Sequence, residues 1–223
     1  MTTTRVIRDQ VTNVLDYFVG AGLALYANPV SMSDETVSWH SPSAPSPFLV
    51  GYKHPTVDQY MAWVNAGEYS MALFDASLVQ LTYRVEGGAV VGHRLAYIPC
   101  PYDVDTELLA EGVPIADLVE SYRPAESAMR SPVRFDFDVR AAKPGHSAAH
   151  LTFNTNDCRI ACVAPLHPLR FVDFVFRHFY PAFWTVHEDF FRVAAWQHIG
   201  DVTIEEGERD RVHVMWNVRA QAG

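Results

Sequence analysis

The chain has 223 residues, 49% of them hydrophobic, and a formal net charge of −9. That apolar content supports a sizeable folded core. The acidic balance argues against broad, salt-driven binding to duplex nucleic acid but leaves room for a local site on RNA or a nucleotide. Three cysteines are too few for a disulfide framework and fit a reducing, cytoplasmic setting.

Arg5 and Arg8 precede an apolar run from Val14 to Ala27, but Asp9 and Asp16 interrupt it. Neither a secretory signal nor a membrane span is expected. Residues 4–27 read as one buried amphipathic helix, closed by Asn28-Pro29. Residues 41–47 read as a proline-rich loop, 48–52 as a short strand and 56–65 as a short helix. A hairpin is expected next: residues 71–85 alternate, Gly87-Gly88 is a two-residue turn signal, and residues 90–98 return. Residues 106–110 and 115–122 read as helices, parted by Gly112 and Pro114, and 123–132 as a polar loop.

The stretch from Val133 to Val163 is the most informative. At a period of two, Arg134, Asp136 and Asp138 share one face while Phe135 and Phe137 take the other. His150, Thr152 and Asn154 share a face of the next strand, Asn156-Asp157 is turn chemistry, and a returning strand brings Arg159 to the same side. Residues 165–184 then form an amphipathic helix, with Leu169, Val172, Phe176, Phe179 and Phe183 on its apolar stripe and Asp173 and Arg177 paired outside. Residues 188–195 extend the helical region, and 212–218 read as a late strand. The expected fold is α+β, one domain over residues 1–223, with an antiparallel sheet built from hairpins and helices packed on one face or end.

The polar face carries the chemistry. A histidine such as His150 can accept a hydroxyl proton or protonate a leaving oxygen, because its ordinary pKa lies near neutrality. Arg134 and Arg159 suit a phosphate, Asp136 can orient His150, and Asn154 and Asp138 can contact substrate. His146 precedes this face in a Pro-Gly loop and is a candidate second acid. Arg170, with Asp173 and Arg177 on the late helix, is a further phosphate or partner contact. No cofactor is required by this reading. A metal version places Asp136 or Asp138 with Asn154 on Mg²⁺ through water. The bland alternative is a cross-strand ion lattice of Arg134 and Arg159 with Asp136 and Asp138. Cys158 and Cys162 would lie roughly 13 Å apart on a strand, too far to share one ion. His93 and Arg94 point to opposite sides of their strand, one into the core and the other toward a neighbouring polar face.

The strings LFDASLVQLTYRV, GHRLAYIPCPY, VRFDFDV, HSAAHLTFN and DCRIACVAPLHPLRFVDFVFRHFYP resemble, in that order, a bacterial family catalogued only as domain of unknown function 2290. The resemblance covers roughly residues 37–181 and leaves 182–223 as a C-terminal extension. It implies a cytoplasmic bacterial protein and carries no activity with it. Over a single hairpin the chain is also similar to compact ribonuclease toxins of the barnase, EndoU, colicin and RelE group, which implies by analogy metal-free RNA cleavage.

Two functions follow as expectations. The first is a small phosphodiesterase, a ribonuclease-like effector of a defence or toxin–antitoxin system, with His150 as acid/base and Arg134 and Arg159 on phosphate. The second is a non-catalytic module, an antitoxin or accessory subunit, that anchors a protein partner through Trp184, Trp196 and Trp216. The sequence leaves the choice between them, and the oligomeric state, open.

Overall fold

The computed structural model describes residues 3–39, 56–128, 130–143, 145–153 and 158–218. The loop expected at 41–47, the strand at 48–52, the turn at Asn156-Asp157 and the candidate Asn154 lie outside the described residues.

The first helix, α1 (Thr4–Gly20), starts at Thr3, whose side chain caps the Val6 amide. Ile7, Val11, Val14, Leu15 and Phe18 recur at helical spacing and are all buried. The helix stops seven residues before the expected end. Gly22 adopts φ +70, and the Leu23 amide returns to the Phe18 carbonyl, which closes the last turn. Residues 24–27 are therefore not helical. They form β1 (Ala24–Ala27), which pairs with β4 (Met71–Leu73). Two further short strands, β2 (Val30–Met32) and β3 (Thr36–Trp39), make a hairpin that the sequence reading did not foresee.

Helix α2 (Val57–Ala66) is capped by Thr56 and closed by Gly67 in the left-handed region. The expected long strand 71–85 is broken. β4 ends at Leu73, a tight turn follows with Ala76 at φ +65, and β5 (Leu78–Glu86) begins after it. Gly87 and Gly88 both have positive φ, as a type I′ turn requires, and lead into β6 (Ala89–Ile98). Helices α3 (Thr106–Ala110) and α4 (Ile115–Ser121) precede β7 (Val133–Asp138), β8 (Ala149–Phe153) and β9 (Arg159–Ala161).

All nine strands belong to one sheet, in the path β1-β4-β5-β6-β7-β8-β9 with every named pairing antiparallel, and β3 docks on the outer half of β5. One face is covered by α1 and α5 (Pro168–Phe179). His167 caps α5, Pro168 opens it, and Leu169, Phe171, Val172, Val175 and Phe176 are buried on the sheet. Phe179 is half exposed and leans on the Tyr97 ring at 4.7 Å rather than entering the core. The helix does not run to residue 184. It breaks at Tyr180 because Pro181 disfavours helical backbone before it, and α6 (Pro181–Val186) starts anew. Next come α7 (Glu188–Arg192), a 3₁₀ turn at Val193–Trp196, and α8 (Glu206–Arg209).

The opposite face has two ends. At one, Leu78, Ala96 and Ile98 pack under α2, α3 and α4 in a second apolar cluster. The other end, over β6–β9, carries polar side chains. The late strand at 212–218 is absent as a ladder. Val214 makes one parallel bridge to Cys162, and the Asn217 carbonyl is taken by Arg170 instead. Among the described residues no helix is long and apolar enough to cross a membrane.

Candidate functional site

The polar face is set by register. Arg94 lies opposite Asp136, Asp136 opposite His150, Arg134 opposite Thr152, and Thr152 opposite Arg159. These residues therefore share one side of β6–β9, as the alternation predicts, with Phe135, Phe137 and Leu151 buried beneath.

A bulge completes the arrangement. β5 and β6 slip by one position between Arg84 and Val85, so that Val85 faces Val90 but Arg84 faces Gly92. Val91 is the extra residue, and it lets Val90 and Leu95 share the same core despite their odd spacing. Downstream of the bulge, Arg84 and Arg94 fall on the polar face and His93 on the buried one. Unbroken alternation along β6, counted from Gly87-Gly88, would have turned Arg94 and His93 the other way; Arg84 lies between the buried Tyr83 and Val85 and takes the polar face by plain alternation. Gly92 is part of the same fit, because a Cβ there would come within 3.3 Å of both Arg84 Nη2 and the Phe137 carbonyl.

Asp136 is the electrostatic centre. It is only 8% exposed. Arg94 Nε donates to its Oδ1 at 2.8 Å and Arg134 Nε to its Oδ2 at 2.6 Å. Burial by itself would raise the carboxyl pKa, but the Arg134 and Arg94 charges overcome that and hold it below the ordinary 3.8. Asp138 is more exposed, and accepts from Arg84 at 3.2 Å and from the Arg140 amide at 2.9 Å. Asp136 therefore pairs with Arg134 and Arg94, and Asp138 with Arg84. Arg159 makes no ion pair with a described carboxylate. Its Nη1 donates to His146 Nδ1 at 2.6 Å.

His150 is largely buried. Its Nδ1 lies 3.3 Å from the Ser147 carbonyl, which can only accept, so Nδ1 carries the proton and Nε2 is left as a base. Nε2 is 3.7 Å from Asp136 Oδ2, too long for a hydrogen bond but close enough to feel the charge. Burial lowers the His150 pKa and Arg159 adds to this, against the opposing pull of Asp136. His146 is lowered by burial and by the nearby Arg159 and Lys143 charges. The two rings lie 5.5 Å apart, edge to face.

Together these side chains line a concavity of about 370 Å³. Four arginines (Arg84, Arg94, Arg134 and Arg159) and two aspartates border it, so its wall is cationic on a chain of net charge −9. Among the described residues no group of three or more His, Cys, Asp and Glu is placed to hold a metal ion. A cation at Asp136 would have to displace two guanidinium forks.

Of the predicted site residues, the fold unites His150, Arg134, Asp136, Arg159, Asp138 and His146. It separates Arg170. That residue lies on α5, where its guanidinium donates to the backbone carbonyls of Gln197, Ala195 and Asn217 and ties the C-terminal segment down. A larger groove of about 610 Å³ lies beside it, but its charges answer one another: Arg177 meets Asp173 at 3.4 Å, and Arg192 meets Glu188 at 3.4 Å. Arg84 was missed although the alternation of β5, with Tyr83 and Val85 buried on either side of it, puts it on the polar face. Arg94 took the neighbouring polar face that its strand position had allowed, and His93 took the core, with Nε2 accepting from the Leu166 amide at 2.8 Å.

No curated protein and no solved structure matches the chain. A family model described as an uncharacterized conserved protein, DUF2290, matches residues 23–216, so the likeness extends beyond 37–181 at both ends and takes in most of the C-terminal extension. The chain therefore belongs to the family known as domain of unknown function 2290.

Proposed function

We propose that the protein is a ribonuclease-like phosphodiesterase that acts on RNA without a metal ion. The observation that carries this reading is the pair of histidines, ring centroids 5.5 Å apart, in a concavity walled by more guanidinium than carboxylate. His150 Nε2 takes the proton of a 2′-hydroxyl. The 2′-oxygen attacks phosphorus, the bond to the 5′-oxygen breaks, and that oxygen takes a proton from His146 in its imidazolium form. The products are a 2′,3′-cyclic phosphate and a free 5′-hydroxyl. Arg134 and Arg159 stabilise the charge that builds on the phosphoryl oxygens. A bound phosphodiester also draws Arg159 away from His146, which removes the repulsion that opposes protonation of that ring. Three free cysteines, Cys100, Cys158 and Cys162, agree with action in the cytoplasm.

The test is cleavage of a short RNA in chelator, with product analysis. Cyclic-phosphate ends are expected, the 2′-deoxy analogue should stay intact, and His150→Ala should abolish cleavage while changing stability by less than about 1 kcal/mol. Cleavage that survives His150→Ala would remove the proposed base. A second reading draws on the C-terminal segment, where Val186, Trp196, Val212 and Met215 are 77%, 61%, 89% and 72% exposed. In that reading the protein is a non-catalytic accessory subunit that docks a protein partner through these side chains. A wild-type protein inert on RNA, with assembly lost in Trp196→Ser, would favour it.

A further inference from the structure

Thr152 is the least explained polar residue of the site face. It sits at the centre of a cross-strand row, with Arg134 on one side and Arg159 on the other. It is 4% exposed, and its Oγ1 has no hydrogen-bond partner among the described residues. A buried hydroxyl without a partner is costly, and a valine of the same shape would remove that cost. On the same face, by contrast, Thr82 Oγ1 is met by Ser38 Oγ at 3.1 Å.

Strands lie roughly 4.8 Å apart, so the two arginine backbones of the row are separated by about twice that distance, with Thr152 midway. Arginine side chains are long enough to converge over the middle position. In the structure Arg134 leans on Asp136 and Arg159 on His146; swung over the middle position, the two forks and the hydroxyl would present donors to the oxygens of one tetrahedral oxyanion. The next row toward the β7–β8 loop holds Asp136 and His150. An anion over Thr152 would thus have the His150 imidazole on its neighbour side, as base attack on a substituent of that anion requires.

We infer that the row Arg134–Thr152–Arg159 is the seat of a phosphate-type oxyanion, with the Thr152 hydroxyl donating to one of its oxygens. This deepens the phosphodiesterase reading and rests on it for the source of the anion. The seat makes Thr152 a binding residue rather than a catalytic one.

The experiment is calorimetric titration of the full chain with two probes, inorganic phosphate and a 2′-deoxy dinucleotide that cannot be cleaved. Thr152→Val should weaken the bound probe about tenfold, or ~1.4 kcal/mol, with an unchanged or higher melting temperature. Thr152→Ser should bind as wild type does, and Thr152→Ala replaces the valine variant if that one melts early. Binding of both probes, lost on removing the hydroxyl, supports the seat and the phosphodiester source together. Binding of phosphate alone, with the same dependence on Thr152, supports the seat but overturns the phosphodiester reading. Wild-type affinity retained in Thr152→Val overturns the seat and leaves that reading standing. A wild-type protein that binds neither probe overturns both.

Discussion

The sheet face opposite α1 and α5 has two ends of the same construction and different content. At one end Leu78, Ala96 and Ile98 are buried because α2, α3 and α4 lie on them. At the other end no helix among the described residues covers Asp136, yet it is as hidden as a core residue. The cover there is made of Arg94 and Arg134, whose guanidinium groups lie on the carboxylate and donate to its two oxygens. A helical cover demands apolar partners and leaves nothing to react with. An arginine cover buries a charge only because it also neutralises it, and it can be parted by a competing anion. The contrast between a sealed end and an open one is the reason to take the second as the candidate site.

The sharpest way to break this comparison is to remove the carboxylate. Asp136→Ala should cost about 3–5 kcal/mol, because it leaves Arg94 and Arg134 facing each other in a half-buried place. Urea unfolding would measure it, and a loss under 1 kcal/mol would mean the arginines are held by something else. The sign of the pH dependence follows from the depressed pKa. Asp136 contributes stability that is present above 3.8 and is lost as pH falls through its lower folded value. Asp136→Asn should flatten stability curves in that acid range.

The histidine beneath the face gives the next largest effect. Burial lowers His93 from 6.5 to about 4. Its unfolded form therefore takes up a proton first, so its contribution to stability is complete above 6.5 and declines as pH falls toward about 4. Thermal melts across that range should fall in the wild type and fall less in His93→Leu, although that variant is weaker at neutral pH. Equal slopes would show that His93 does not govern the acid response.

A smaller effect separates the two arginines. Arg159→Ala should weaken an RNA or nucleotide ligand by ~1–3 kcal/mol while leaving the melt nearly unchanged, since its partner is a histidine nitrogen and not a carboxylate. Arg134→Ala should lose both affinity and stability, because Asp136 depends on it. If both variants lower the melt and neither changes affinity, the face is an ion lattice alone. The smallest effect belongs to Asp138→Ala, at less than about 1 kcal/mol, since that carboxylate is 44% exposed and screened by solvent.

Much of this was legible in one dimension, and the parts that were not share a cause. The alternation of Arg134, Phe135, Asp136, Phe137 and Asp138 fixed which residues share a face, because successive strand residues must point to opposite sides. The stripe of α5 and the Gly87-Gly88 turn were likewise local facts, decided within a few residues of chain. The ends of elements were less legible. Helix α1 stopped at Gly22 and α5 at Pro181, where a single backbone preference outweighed an apolar run that continued past it.

What only the tertiary structure decided were the relations between strands. The Val91 bulge turned Arg94 toward Asp136 and His93 into the core, and a one-residue slip in pairing has no signature in periodicity. Arg170 carried the right chemistry for the site but lay on the helix that covers the other face, because its neighbours Leu169 and Phe171 had to be buried there. Thr152 looked ordinary in the sequence. Its burial between two arginines, without a partner of its own, exists only once β7, β8 and β9 are side by side. The chain by itself sets which residues alternate along a strand, since that depends on local backbone geometry. Which side chains meet depends on register and packing, and those are properties of the whole fold.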